Sequence, residues 1–168
     1  MRSGKSVQQG FTYIAVLAAL ALLALASSGV MRYVSQQAQR EREQDLLQTG
    51  RYFVQAIGDF YAASPGSVKK LPQKLEDLLD DKRQVGIRRY LREVYRDPTT
   101  GKPDWDLIRD ADGGIRGVRS SNAQAPIRTG PVVLDTLPAI TLQAAAHYSD
   151  WVFAFYPAQA TQSPGAPK

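Results

Sequence analysis

The chain has 168 residues, room for one domain of ordinary size and little more once an anchor or a tail is subtracted. Its net charge of +5 includes Arg2 and Lys5, so a chain without its first ten residues would carry 5 − 2 = +3, a mild basic excess. There is no cysteine, which excludes a disulfide framework, a thiol nucleophile, a thiolate metal site and a lipidated cysteine. His147 is the one histidine, so histidine-rich zinc sites are excluded and a Ser-His-Asp triad would have to be built around it.

Arg2 and Lys5 precede an uncharged stretch from Phe11 to Met31 that Arg32 closes. As a helix, that stretch is about long enough to cross a ~30 Å hydrocarbon layer. The positive leader would stay on the cytoplasmic side, which places everything after Arg32 outside. Three fates compete for this segment. Ala24-Leu25-Ala26 ahead of Ser27 has the small-x-small form of a signal-peptidase site. The segment could also remain as an uncleaved anchor, or be cut ahead of the apolar run, at Gly10-Phe11. Beyond the polar patch from Ser35 to Asp45, apolar or small residues recur at Leu46, Leu47, Gly50, Phe53, Val54, Ile57, Phe60 and Tyr61. This is the three-and-four spacing of an amphipathic helix with one buried stripe. Ser64-Pro65-Gly66 ends it. A single helix from Phe11 to Ala63 would rise roughly 80 Å at ~1.5 Å per residue; a break near Ser27-Ser28-Gly29 is the alternative.

Pro72 followed by Leu75, Leu78 and Leu79 predicts a short helix whose outer side carries Glu76, Asp77, Asp80 and Asp81. A basic run follows: Lys82, Arg83, Arg88, Arg89, Arg92 and Arg96. It has the charge to bind nucleic acid or anionic lipid, but the adjoining acids offset it, and Tyr90, Leu91, Val94 and Tyr95 give the segment an apolar side, so a solvated surface is the expectation. Asp97-Pro98-Thr99-Thr100-Gly101 is a turn. Trp105 to Arg109 and Ile115 to Arg119 are β-prone runs around Asp110-Ala111-Asp112-Gly113-Gly114, a predicted hairpin. Trp151 to Tyr156 supplies a third strand. Three such strands are too few to stand alone and should pack on the helix stripe. The stretch from Val132 to His147 is interrupted by Pro138; Leu142 to Ala146 would suit a helical turn or an insertion, and no role follows for it. Pro157 to Lys168 is a tail rich in Pro, Ala, Gln and Gly, expected to be flexible.

The junction Gly10-Phe11-Thr12-Tyr13-Ile14, behind a short basic leader and ahead of the apolar run, resembles the type IV prepilin N-terminus. In that family a dedicated peptidase cuts after the glycine and methylates the new N-terminus, which makes Gly10 the last leader residue and Phe11 the first mature one. Family members usually carry glutamate as the fifth mature residue, where it neutralises the N-terminal amine of a neighbouring subunit; Ala15 stands here. One minor pseudopilin type at the filament tip lacks it too. A second resemblance covers the soluble part. Arg89-Tyr90-Leu91, Tyr95 to Gly101, Trp105 and Gly117-Val118-Arg119-Ser120 look like general secretion pathway pseudopilins of the major, G-like type, in the same order. That type holds calcium through acidic ligands in a C-terminal loop; the corresponding stretch here, Ser121 to Pro131, has no carboxylate, so calcium there is not expected.

The remaining chemistry is sparse. Asp110-Ala111-Asp112-Gly113 is a fragment of a calcium-loop pattern without the further oxygens or the closing glutamate. His147 and the acids Asp104, Asp106, Asp110 and Asp112 suggest no catalytic pair, and no phosphate-binding glycine loop is present. The resemblances imply an α+β pilin-like fold: a long N-terminal helix, membrane-spanning in its first half, packed on a small antiparallel sheet. The expected divisions are a leader at 1–10, a transmembrane half at 11–34, a periplasmic domain at 35–157 and a tail at 158–168. The expected role is that of a structural subunit of a type II secretion pseudopilus, not an enzyme, with no catalytic residue, metal or cofactor and with Gly10 and Phe11 as processing residues. Its partners would be other pseudopilin or pilin subunits, the prepilin peptidase and an inner-membrane assembly platform; neither nucleic acid nor a small-molecule substrate is expected. Its place would be the bacterial inner membrane, crossed once, with the C-terminal domain in the periplasm. The alternatives are a minor type IV pilin or another membrane-anchored envelope protein that binds a ligand.

Overall fold

A computed structural model describes residues 8–83, 86 and 88–157, and within the first helix the side chains of 11–24 and of 34 onward. Residues 1–7 of the expected leader, the expected tail at 158–168, and Gln84, Val85 and Ile87 beside the basic run lie outside the described residues. Gln8–Ala62 is α-helical (α1). The chain divides into two compact units, 1–40 and 41–168.

In the first unit the described side chains of α1 are those of 11–24 and, after a gap, of 34–40. Among the described residues no helix is long and apolar enough to cross a membrane. This corrects the expected fold class, in which the first half of a long apolar N-terminal helix spans the bilayer. The described apolar stretch 11–24 rises only about 21 Å at 1.5 Å per residue, short of a ~30 Å hydrocarbon layer. The helical segment with described side chains from 34 onward is polar at first and then amphipathic. The expected single-pass inner-membrane location, with a periplasmic C-terminal domain, rested on the same span and is corrected with it.

The second unit is organised on the apolar stripe of α1. Leu46, Phe53, Val54 and Ile57 are fully buried, Leu47 and Phe60 nearly so. Five short strands follow: β1 (Asp106–Arg109), β2 (Ile115–Arg119), β3 (Val132–Leu134), β4 (Ile140–Leu142) and β5 (Val152–Ala154). β1, β2 and β5 form an antiparallel sheet in the order β1-β2-β5, with Leu107 opposite Val118 and Val118 opposite Phe153. The register shifts between Ile108 and Arg109, where β1 runs into the turn at 110–114. Gly113 takes φ 79° there, a conformation costly for any residue with a Cβ. Ile115, Val118, Trp151 and Phe153 join the helix stripe in one core. Trp105 stacks edge-on against Phe53 at 5.3 Å between ring centroids and donates its indole N–H to the Tyr95 carbonyl at 2.8 Å. Gly50 marks where strand and helix meet, since a Cβ there would run into the Phe153 ring.

Two parts of the unit differ from the sequence reading. β3 and β4 pair with each other as a separate two-stranded sheet, Val133 opposite Thr141. The run from Leu142 to Ala146 is therefore a strand end and an irregular segment, not a helical turn, because buried Leu142 is committed to β4. The short helix after Pro72 is a 3-10 helix, Leu75–Leu78, and a second 3-10 helix, Tyr148–Asp150, occupies the approach to β5.

Candidate functional site

The most unusual surface of the chain is the N-terminal stretch of α1. Phe11, Tyr13, Ile14, Val16, Leu17, Leu20, Leu22 and Leu23 are all exposed, Phe11 at 76% and Leu22 at 67%. They lie all round the helix, which has no charged residue between Phe11 and Ala24. Between them stand Ala15, Ala18, Ala19, Ala21 and Ala24, small enough for a second helix to approach closely. Burying each large side chain would release about 1.5–3 kcal/mol, and an exposed apolar patch of this extent marks an interaction surface.

The expected processing residues sit at the start of this stretch. Gly10 and Phe11 both lie within α1, which begins at Gln8 and not at Phe11. Ala15, where the resemblance has a glutamate, is exposed with its apolar neighbours.

In the second unit the polar chemistry is used to fasten loops. Glu43, 2% exposed, accepts from the Ile127 N–H at 2.8 Å and the Tyr148 hydroxyl at 3.0 Å and pairs with Arg128 at 3.3 Å, so one buried carboxylate holds the 122–148 region to α1. Asp97 is fully buried; it accepts from the Thr99 N–H, the Thr99 hydroxyl and the Ser120 hydroxyl, while Gly101 N–H donates to the Asp97 carbonyl at 2.7 Å. The Asp-Pro turn and the serine that ends β2, separate in the sequence, are thereby one cluster. Asp81 is the third buried carboxylate. Hydrogen bonds from Arg83 lower its pKa to about 2, with the Tyr90 hydroxyl assisting at 3.0 Å. Arg83 also donates to Ser64 Oγ and to the Phe60 carbonyl, both at 2.9 Å, and lies over the Phe60 ring, so it caps the C-terminal end of α1. Asp81, expected on the outer side of the short helix, is instead 1% exposed, because Arg83 two residues on and the Tyr90 hydroxyl compensate its charge. Glu43 escaped the sequence reading because its partners, Ile127, Arg128 and Tyr148, lie more than 80 positions away.

The basic run is divided. Arg83 is structural, whereas Arg88, Arg89, Arg92 and Arg96 are exposed along the segment that follows. Arg89 reaches the Leu79 carbonyl at 3.3 Å. Among the described residues no group of three or more His, Asp or Glu side chains is placed to hold a metal ion. Asp110 pairs with Arg116 at 2.8 Å and accepts from the Ala111 N–H, roles that belong to the turn. His147 is half-exposed, 3.5 Å from the Asp150 carboxylate, at the head of its 3-10 helix.

No family model, no curated protein and no solved structure matches this chain.

Proposed function

We propose that this chain is a structural subunit of a pseudopilin-type filament, the pseudopilus of a type II secretion machine, processed after Gly10 and assembled by packing the N-terminal stretch of α1 against homologous copies. The observation that carries this reading is the exposed, uncharged apolar helix surface at 11–24, combined with a separate folded unit at 41–168. Such a surface has no use in an isolated monomer and a direct use in a helix bundle, where large side chains interlock and the alanines admit neighbours. The folded unit then supplies the outward face of the filament, its loops pinned by Glu43, Asp81 and Asp97. Work for assembly has to come from a separate ATPase, because the sequence carries no nucleotide-binding loop. A second reading, a minor type IV pilin, is favoured by Ala15: a subunit without the carboxylate that neutralises its neighbour's amine is suited to a single position, not to endless repetition.

The test is the intact mass of the full chain expressed with and without a prepilin peptidase. Peptidase-dependent loss of residues 1–10 with one methyl added at Phe11 supports the reading. A chain beginning at Ser27, or an untouched Met1 in both cultures, would sink it.

A further inference from the structure

A groove of about 390 Å³ runs beside α1, walled by Tyr52, Gln55 and Asp59 on the helix and by Tyr90, Arg92 and Tyr95 across from it. Tyr52 is 42% exposed and its ring lies against Tyr95, with centroids 5.6 Å apart, so the groove presents aromatic surface next to a carboxylate. Among the described residues the Asp59 carboxylate has no hydrogen-bond or ion-pair partner. Partial burial raises its pKa above the ordinary value, as expected of a charge seated against a protein wall without compensation. Aromatic faces beside an unpaired carboxylate suit a guanidinium, which can stack on a ring and pair in its plane.

We propose that this groove receives Arg42 from a second copy of the chain, a lateral contact of the filament that rests on the assembly reading above. Arg42 is exposed on α1 and, among the described residues, has no carboxylate within ion-pair distance. The other exposed arginines fit less well. Arg88, Arg89 and Arg96 flank the groove's own Arg92, and bringing a second copy of that segment to the groove would set like charges face to face. Arg119 and Arg128 are already paired with Asp106 and Glu43, Arg109 donates to the Gly113 carbonyl, and Arg40 lies outside the compact unit that carries the groove. Arg42 and Asp59 are 17 residues apart on one helix. That is about 25 Å along the axis and roughly 100° round it. They cannot meet within one chain, and they occupy different sides of the helix, as a head-to-tail contact requires. A parallel copy displaced by about that length brings its Arg42 to the first copy's Asp59 and leaves its own groove open for the next. Repetition of such a contact does not close on itself and generates a filament.

The chain has no native cysteine, so introduced pairs report cleanly. The full-length chain carrying Arg42→Cys and Asp59→Cys is oxidised under conditions in which the unmodified chain sediments as multimers. Because a disulfide needs Cα atoms within about 7 Å, every bond formed must join two chains, and the expected product is a ladder of dimers, trimers and longer species. Each single variant alone should give none, and a mixture of the two should stop at dimers. Arg42→Glu and Asp59→Arg should each lower the sedimenting fraction about tenfold, and their combination should restore it. Sedimenting multimers without a ladder would overturn this contact and leave the assembly reading standing, as would Asp59→Cys joining to itself, the mark of a two-fold contact. If no multimer sediments at all, the assembly reading fails and this contact with it.

Discussion

The buried carboxylates show how single residues set the behaviour of the folded unit. Asp81 is held near a pKa of about 2 by Arg83 and Tyr90, against an ordinary value of 3.8. A carboxyl whose pKa is lowered by folding contributes stability that is fully present above its unfolded value and is lost as pH falls through its folded value. For Asp81 that window runs from about pH 4 down to about pH 2, and the contribution is on the order of 2 kcal/mol. Asp81→Asn should therefore lower the urea midpoint at pH 6, and the gap between variant and parent should narrow steadily between pH 4 and pH 2; a gap independent of pH would assign the loss to packing alone. Asp97 carries a related lesson. As part of Asp-Pro-Thr-Thr-Gly it reads as a turn residue, which it is, but its side chain is buried on Thr99 and Ser120, a role set by a strand end 23 residues later.

At the scale of elements, the stripe on α1 and the hairpin of β1 and β2 follow from local patterns. Three-and-four spacing buries Leu46, Phe53, Val54 and Ile57, and the Gly113 turn brings β-prone runs together. What local pattern leaves open is which element covers which. Gly50 interrupts the stripe for a reason found only in β5, whose Phe153 ring rests where a Cβ would project. Gly50→Ala should cost about 1–3 kcal/mol by overpacking, although alanine is the better helix former by about 1 kcal/mol, and Phe153→Leu in the same chain should recover part of the loss. Thermal unfolding of the parent and the two variants decides it: a Gly50→Ala chain more stable than its parent would show that propensity outweighs the contact. The β3 and β4 pair escaped the sequence reading because three-residue strands on either side of a Leu-Pro segment carry too little alternation to register.

For the whole molecule, the decisive fact is that an uncharged apolar helix surface and a separate compact unit belong to one chain. Replacing Leu17 and Leu20 by glutamate should abolish sedimenting multimers by placing charge in the helix contact, while leaving the thermal unfolding of the 41–168 unit unchanged. Multimers that persist in this variant would move the assembly surface away from 11–24. The transmembrane expectation failed at this scale. It counted the whole uncharged run from Phe11 to Met31, whereas the described apolar stretch is too short to cross a bilayer.

The residues alone determined what periodicity and turn chemistry can carry: an apolar N-terminal stretch, an amphipathic helix ending before Pro65, a hairpin around Gly113, and the lack of any cysteine or nucleotide loop. They also give Gly10 and Phe11 a resemblance to the prepilin junction, on which the processing proposal rests. Tertiary structure decided the rest. It chose Glu43, Asp81 and Asp97 from among sixteen acids as the buried ones, joined the Asp-Pro turn to Ser120, and left Asp59 open in a tyrosine-walled groove. The physical reason is range. Helix and turn preferences act over a few residues, whereas the burial of a charge is settled by partners that only the folded chain brings within 3 Å, such as Tyr148 against Glu43 across 105 positions.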